Sequence, residues 1–235
     1  MPIHRVNFGA ALVAILLLLA CSPANSNPRP TDAAASAAAP TKTTAPATDL
    51  VVAAADHGRV DGDSTARTWV IIASDFQCPY CKQWHDESYK TFINEYVRSG
   101  KVKVAYINFP LGQHQHAVIT AEAAMCASAQ NKFWQYHDAL FNSQKQWTPM
   151  PDPRPVLDSI ARTVGVDVAE WSKCVDSKRM LPLIMADHDR AESAGVQSTP
   201  SFIVGDSILA GALPFADMRP VLDAAIAKSG SAPTH

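Results

Sequence analysis

Two cysteines lie where a strand-like segment meets a helix-like one, and this feature constrains the chain more than any other. Residues 68–73 are apolar and rich in β-branched side chains, which predicts a buried strand. After the cysteines, apolar side chains recur at helical spacing as far as Gly100, which predicts a helix. Cys78 then stands at the helix N-cap, and Pro79 takes the first helical position, where its missing N–H costs nothing.

This position favours the thiolate form of Cys78. Unpaired backbone N–H groups and the positive end of the helix dipole face an N-cap residue, and both lower the pKa of a thiol. Cys81 lies one turn further on, within disulfide reach and more shielded. An exposed attacking thiol of low pKa with a buried resolving partner is the arrangement that thiol–disulfide exchange requires. We therefore interpret Cys78 and Cys81 as a catalytic redox pair.

Two structural alternatives fit the motif less well. A structural zinc site needs four ligands, usually from a second cysteine pair, and the 235 residues contain no second C-x-x-C motif. A purely structural disulfide over so short a loop gains little stability and is strained. We predict no cofactor and no metal. The formal charge of −2 and the absence of a long basic run argue against a nucleic-acid partner.

The N-terminus predicts export from the cytoplasm. The apolar run at residues 8–20 is short for a membrane span but fits a secretory signal. It ends in Leu18-Leu19-Ala20-Cys21, which resembles a bacterial lipobox and implies lipidation of Cys21. An ordinary cleaved signal with an incidental cysteine is the alternative. We expect a lipid-anchored protein of the periplasm or cell envelope, and Ser22 in place of Asp favours the outer membrane.

One folded domain is predicted behind this segment. Residues 1–20 form the signal, residues 21–49 a disordered tether rich in Pro, Ala and Thr, residues 50–230 the domain, and residues 231–235 a frayed tail.

The pattern within the domain predicts an α/β fold. Residues 102–109 indicate a second strand, and a strand–helix–strand unit with a helical crossover is parallel. From about 113 to 195 the pattern is helical throughout, which is longer than a crossover needs and indicates an inserted helical subdomain. Residues 198–211 predict a hairpin, and a last helix follows over 214–229.

Three separated motifs resemble those of the DsbA family of thiol–disulfide oxidoreductases, which have a thioredoxin-like fold with a helical insertion. The resemblance covers roughly residues 56 to 229. Its motifs are Asp75-Phe76-Gln77-Cys78-Pro79-Tyr80-Cys81, Lys132-Phe133-Trp134 with His137-Asp138 and Leu140-Phe141, and Gly195-Val196-Gln197-Ser198-Thr199-Pro200-Ser201-Phe202.

The resemblance implies that the late proline lies against the redox pair. Pro200 would be cis, and Thr199 would offer its backbone to an extended substrate peptide. A proline at this point presents no N–H to the sulfurs and fixes the turn that joins the two segments. The alternative is a trans proline at the start of a strand.

Two positions depart from the family pattern. Many relatives have His at the position of Tyr80 and a carboxylate at the position of Ile72. We interpret Pro79 and Tyr80, which lie between the two cysteines, as residues that tune the redox properties of the pair. Asp75 is nearer to the motif but differently placed along the strand, and it receives no role.

The remaining cysteines are Cys126 and Cys174, both in the helical insertion. Four cysteines that are not lipidated allow three pairings, and the proximity of Cys78 to Cys81 leaves Cys126–Cys174 as a structural disulfide. Two isolated buried thiols are the alternative. Some members of the family carry such a second bridge.

The histidines suggest little chemistry at this level. His114 and His116 form a His-x-His pair that can ligate metals, but a polar loop before a helix explains them better. His85 follows Cys81 by one turn, and we expect it on a solvated helix face. His137 and His188 read as ordinary helix residues.

Together these features predict an enzyme that exchanges disulfides with protein substrates and is recycled by a redox partner. Oxidase is favoured over reductase, and an isomerase is disfavoured because residues 22–49 are too short and polar to supply a dimerisation module, so a monomer is expected. A non-catalytic copper-binding envelope module using Cys78 and Cys81 is the alternative from another class, because soft thiolates suit Cu(I).

Overall fold

The computed structural model describes residues 49–230 of the chain. The predicted signal, the tether up to residue 48 with its lipidation site Cys21, and the tail at 231–235 lie outside the described residues.

The two cysteines follow the middle strand of a five-stranded mixed sheet. Its order is β1-β3-β2-β4-β5, and the central β2 and β3 pair in parallel as predicted, while the other neighbours are antiparallel. The first strand is only two residues long, and no sequence pattern predicted it. The strands are β1 Val60–Asp61, β2 Thr68–Ser74, β3 Val102–Asn108, β4 Ser201–Val204 and β5 Ser207–Ala210.

Alternation along the strands decides which face of the sheet is buried. On β3 every second side chain, from Val102 to Asn108, is buried, and those between are half-buried. On β2 the buried face carries Val70 and Ile72, whereas Trp69 on the other face is 41% exposed. The apolar face therefore packs into the main core, as period-two patterning requires.

Nine helices of the described region surround this sheet. The active-site helix, α2, runs over 79–97 and combines α-helical segments at Pro79–Trp84 and Lys90–Phe92 with π-helical turns at His85–Tyr89 and Ile93–Val97. The others are α1 Leu50–Gly58, α3 Ala117–Ser128, α4 Phe133–Asn142, α5 Gln144–Trp147, α6 Arg154–Val164, α7 Val168–Asp176, α8 Leu181–Ser193 and α9 Phe215–Gly230.

Helices α3 to α8 form the predicted insertion between β3 and β4. Local sequence sets their ends: the Asp167 side chain accepts hydrogen bonds from Ala169 N and Glu170 N at the start of α7, and Gly165 adopts a left-handed conformation after α6. The sheet and insertion together confirm the predicted thioredoxin-like fold. Within residues 49–230, no helix combines the length and the apolar character that crossing a membrane requires.

Candidate active site

Cys78 lies at the N-terminus of α2, directly after the loop that follows β2. It has the extended backbone of an N-cap residue, with φ −65° and ψ 125°, and Pro79 occupies the first helical turn. The Cys78 carbonyl accepts the Lys82 N–H at 3.1 Å, which is the first hydrogen bond of the helix. The helix therefore begins at the sulfur-bearing residue.

Both cysteines are buried, which corrects the expectation of an exposed attacking thiol. Cys78 is 3% exposed and Cys81 1% exposed, whereas the Tyr80 between them is 62% exposed. The cause for Cys78 is the segment before β4, because the Thr199 carbonyl oxygen lies 3.4 Å from the Cys78 sulfur and covers it.

The peptide bond between Thr199 and Pro200 is cis. Sheet pairing explains why these residues meet the cysteines: β4 lies beside β2 with Ser201 opposite Ala73, so the residue pair just before β4 faces the loop just after β2. The structure thus brings Cys78, Cys81, Thr199 and Pro200 together.

The two thiols have opposite electrostatic environments. A hydrogen bond from Cys81 is the largest influence on Cys78 and lowers its pKa. The Thr199 side chain and the backbone N–H groups of Cys81 and Tyr80 act in the same direction. Together they bring the pKa of Cys78 to about 6 against the opposing effect of burial. Burial raises the pKa of Cys81 well above that of an ordinary thiol, and the contact with Cys78 raises it further. The pair therefore holds one thiolate and one thiol at neutral pH.

Three polar groups that support this site were not predicted. The Gln144 side chain donates to the carbonyls of Phe76 at 2.8 Å and Cys78 at 3.0 Å, which ties α5 of the insertion to the active-site loop. The buried Asp75 carboxylate accepts from the Leu111 N–H at 2.9 Å and lies 2.7 Å from His114 Nδ1. The spacing of residues in the sequence does not indicate contacts between segments that are 30 to 70 residues apart.

The Ser74 hydroxyl is the third such group. It hydrogen-bonds to Cys81 and partly offsets the rise in the pKa of that thiol. Ile72, at the position where many relatives carry a carboxylate, is 2% exposed in the hydrophobic core. A neutral hydroxyl, that of Ser74, is therefore one of the polar neighbours of Cys81.

The other candidate residues fall elsewhere. Cys126 on α3 and Cys174 on α7 form a disulfide. His116 precedes α3, and its Nε2 lies 2.8 Å from the Met150 carbonyl. His188 on α8 stacks on Phe109 with ring centroids 4.4 Å apart.

The expectation of a solvated His85 was wrong. Its side chain is 10% exposed, and its ring stacks on Tyr89 at a centroid distance of 5.1 Å and lies 5.0 Å from that of Phe141. The reason is spacing: His85 follows the buried Cys81 by four residues and so shares its face of α2, which α4 covers.

This sheet, with a C-x-x-C pair at the start of a helix and a cis-proline against it, defines a thioredoxin-like redox protein. A family model described as thioredoxin matches residues 54–224. The chain is 30% identical over 150 residues to a Bacillus anthracis protein named probable disulfide bond formation protein D. The match covers 63% of this chain and 69% of that protein.

Solved structures agree on the fold. Oxidised BdbD from Bacillus subtilis superposes with a TM-score of 0.66 at 19% identity, covering 73% of this chain and 94% of that one. The alpha-DsbA1 of Wolbachia pipientis gives 0.65 at 20% identity, covering 73% and 92%. The chain belongs to the thioredoxin family of this model and, within it, to the DsbA-type protein thiol–disulfide oxidoreductases. The copper-binding alternative gains no support from these relatives.

Proposed function

We propose that this protein is an extracytoplasmic oxidase that transfers a disulfide from Cys78–Cys81 to protein substrates. The observation that carries the proposal is the lowered pKa of Cys78 beside the raised pKa of Cys81, at a site closed by Thr199 and cis-Pro200. A thiol of low pKa stabilises the reduced form of the pair, which makes the oxidised form a better oxidant.

The proposed reaction uses the two sulfurs in sequence. A substrate thiolate attacks the Cys78 sulfur of the disulfide, the Cys78–Cys81 bond breaks, and Cys81 leaves as a thiolate that takes up a proton because its pKa is high. A second substrate thiolate then attacks the substrate sulfur of the mixed disulfide. Cys78 leaves as a stable thiolate, so two electrons have passed to the enzyme and one disulfide to the substrate.

Docking of the substrate is assigned to the segment before β4. Thr199 is 5% exposed and lies against Cys78, and Pro200 has no N–H to donate to the sulfurs. An extended peptide that pairs with the Thr199 backbone would place its cysteine at Cys78. The exposed Tyr80 ring would border the same peptide.

The size and sign of the pKa effect can be stated. A shift of the Cys78 pKa from 9.0 to about 6 stabilises the reduced form by about 1.4 kcal/mol at pH 7, equal to about 30 mV for a two-electron couple. Because the folded pKa lies below the reference value, this stabilisation is fully present above about pH 9 and is lost as the pH falls through about 6.

The proposed location is the periplasm or cell envelope, with a lipid anchor at Cys21 in the outer membrane. Support comes from the apolar segment 8–20 before Cys21 and from the Cys126–Cys174 disulfide, since disulfides persist in oxidising compartments. The partners proposed are reduced protein substrates and a redox protein that restores the Cys78–Cys81 disulfide. The name of the Bacillus anthracis relative, for disulfide bond formation, supports the oxidising direction.

A stoichiometric transfer assay tests the proposal. The oxidised protein is mixed with a reduced, unfolded protein that has two cysteines, and thiols are trapped by alkylation and counted by mass spectrometry. We expect one disulfide transferred per chain, and none with Cys78→Ser or Cys81→Ser, because neither variant can form the Cys78–Cys81 disulfide that supplies the oxidising equivalents. Full transfer by Cys78→Ser would overturn the proposal.

Reductase activity is the second candidate, because Tyr80 and Ile72 stand where many relatives carry His and a carboxylate. Equilibration of the Cys78–Cys81 pair with glutathione buffers separates the two directions. A potential above the glutathione poise indicates an oxidase, and one below it indicates a reductase.

A further inference from the structure

Two histidines and an aspartate converge between α2 and α4. His85 Nε2 lies 3.4 Å from Asp138 Oδ1, and His137 Nδ1 lies 2.8 Å from the same oxygen. One ligand atom from each residue lies within 4.8 Å of the other two. Among the described residues, this is the one group of three or more His, Cys, Asp or Glu side chains with such spacing.

The environment of this cluster combines rigid walls with access to solvent. His137 is 2% exposed among aromatic rings, including those of Phe76 and Tyr106, whereas the Asp138 side chain is 48% exposed. His85 and Asp138 line a cleft of about 530 Å³. An ion and the water that completes its coordination could reach the cluster through this cleft.

The His85 ring also has a partner for its second nitrogen. Its Nδ1 lies 3.4 Å from Asp86 Oδ1, while Nε2 faces Asp138. A carboxylate on the far nitrogen of a histidine fixes the ring orientation and raises its basicity at metal sites. Asp86 itself is held by an ion pair with Lys82.

We propose that His85, His137 and Asp138 form a binding site for a divalent first-row transition metal, with Zn²⁺ as the ion of choice. Two imidazole nitrogens and one carboxylate oxygen, with a water in the fourth position, are a ligand set that zinc accepts. This site uses none of the residues that the exchange reaction requires. The sequence did not indicate it, because His85 and His137 are 52 positions apart.

The geometry needs little adjustment to accept an ion. Bonds of about 2.0 to 2.2 Å place tetrahedral ligand atoms about 3.3 to 3.6 Å apart, close to the 3.4 Å between His85 Nε2 and Asp138 Oδ1. The ion would take the place of the hydrogen bond between His137 Nδ1 and Asp138 Oδ1, whose 2.8 Å would have to widen by about 0.5 Å. The half-exposed Asp138 side chain is the one that would move.

The chain contains a matched control. His188 and Asp189 form a second His-Asp pair on a helix, with His188 Nδ1 at 3.7 Å from Asp189 Oδ1. His188 stacks on Phe109, and the described residues place no second histidine in a three-ligand group with it. This pair tests whether a helical His-Asp dipeptide is sufficient for binding.

Zinc titration of the oxidised, full-length protein without a histidine tag tests the proposal. With both cysteine pairs closed as disulfides and the Cys21 thiol lipidated or alkylated, no thiolate competes for the ion. Isothermal titration calorimetry should show one Zn²⁺ per chain. His85→Gln and Asp138→Asn should each weaken binding by about tenfold or more, whereas the double variant His188→Gln, Asp189→Asn should bind as the native chain does.

A second measurement guards against misfolded variants. Zn²⁺ should raise the thermal unfolding midpoint of the native chain and of the His188 control, because it binds the folded state only, and should not raise that of Asp138→Asn. Circular dichroism and retained disulfide transfer show that each variant is folded. Absence of saturable zinc binding, or equal affinity in His85→Gln, Asp138→Asn and the native chain, overturns the proposal.

Discussion

At the scale of single residues, the chemistry of Cys78 depends on a balance between burial and hydrogen bonding. Burial alone would raise the pKa of the thiol, but the Cys81 thiol, Thr199 and the first N–H groups of α2 together outweigh it. Cys81 lacks this compensation and stays protonated. The two cysteines therefore take different roles, because only Cys78 begins the helix.

Gln144 is predicted to stabilise the active-site loop. Gln144→Ala leaves the Phe76 and Cys78 carbonyls without their buried donor, so the free energy of unfolding should fall by about 1 to 3 kcal/mol. Urea denaturation measures this, with Gln146→Ala, at an exposed position close by, as the control. Equal stability of the two variants would contradict the role given to Gln144.

Whether a feature of the site could be predicted depends on how far apart in the sequence the contacting residues lie. The positions of Cys78 and Pro79 at the helix start follow from local rules for helix termini, and the sequence indicated them. Gln144 and the contact between His114 and Asp75 depend on how the insertion packs, which no local pattern encodes. The burial of Cys78 was also missed, although the resemblance placed the covering segment, 121 residues away, against the cysteine pair.

At the scale of elements, the order of the strands assembles the site. The parallel β2–α2–β3 unit and the β4–β5 hairpin were predictable from apolar runs and turn residues, whereas two-residue β1 and the π-helical turns of α2 have no distinct sequence pattern. A buried ion pair and its hydrogen bonds connect strand β3 to the insertion. Asp187 on α8 accepts from Arg59, before β1, and from Asn108 at the end of β3.

Removing one partner of that ion pair should be costly. Asp187 is fully buried and Arg59 is 4% exposed, so Asp187→Ala removes the buried partner of the guanidinium, leaves it with the half-exposed Asp56, and should lower the free energy of unfolding by about 3 kcal/mol. The exposed aspartate of the β4–β5 turn supplies the control, since Asp206→Ala should leave the free energy of unfolding nearly unchanged. Denaturant unfolding of both variants measures the difference, and a similar loss in both would refute the account of Asp187.

At the scale of the whole molecule, the structure separates a redox site on the sheet from a helical insertion with its own cross-link. The Cys126–Cys174 disulfide joins α3 to α7 across 48 positions of the chain, within the insertion. The helical pattern over about 113 to 195 predicted the insertion, and the resemblance to DsbA allowed for this bridge, but sequence alone left free thiols as an alternative. The exchange chemistry requires only the other cysteine pair.

Removal of the insertion disulfide should affect stability and spare activity. The double variant Cys126→Ala, Cys174→Ala should lose up to about 4 kcal/mol of unfolding free energy, from the entropy of a loop of 48 positions. Its disulfide transfer at a temperature where it stays folded should equal that of the native chain. Loss of transfer by a folded variant, or free thiols at both positions in the native oxidised protein, would contradict this division.

The central claim is that Cys78 is a thiolate at neutral pH because α2 begins at it and Cys81 donates to it. The direct test is the rate of alkylation of Cys78 in the reduced protein as a function of pH, with Cys126 and Cys174 still joined. The account predicts a rate profile with a midpoint at about 6. A midpoint near 9.0, the value of an unperturbed thiol, would contradict it.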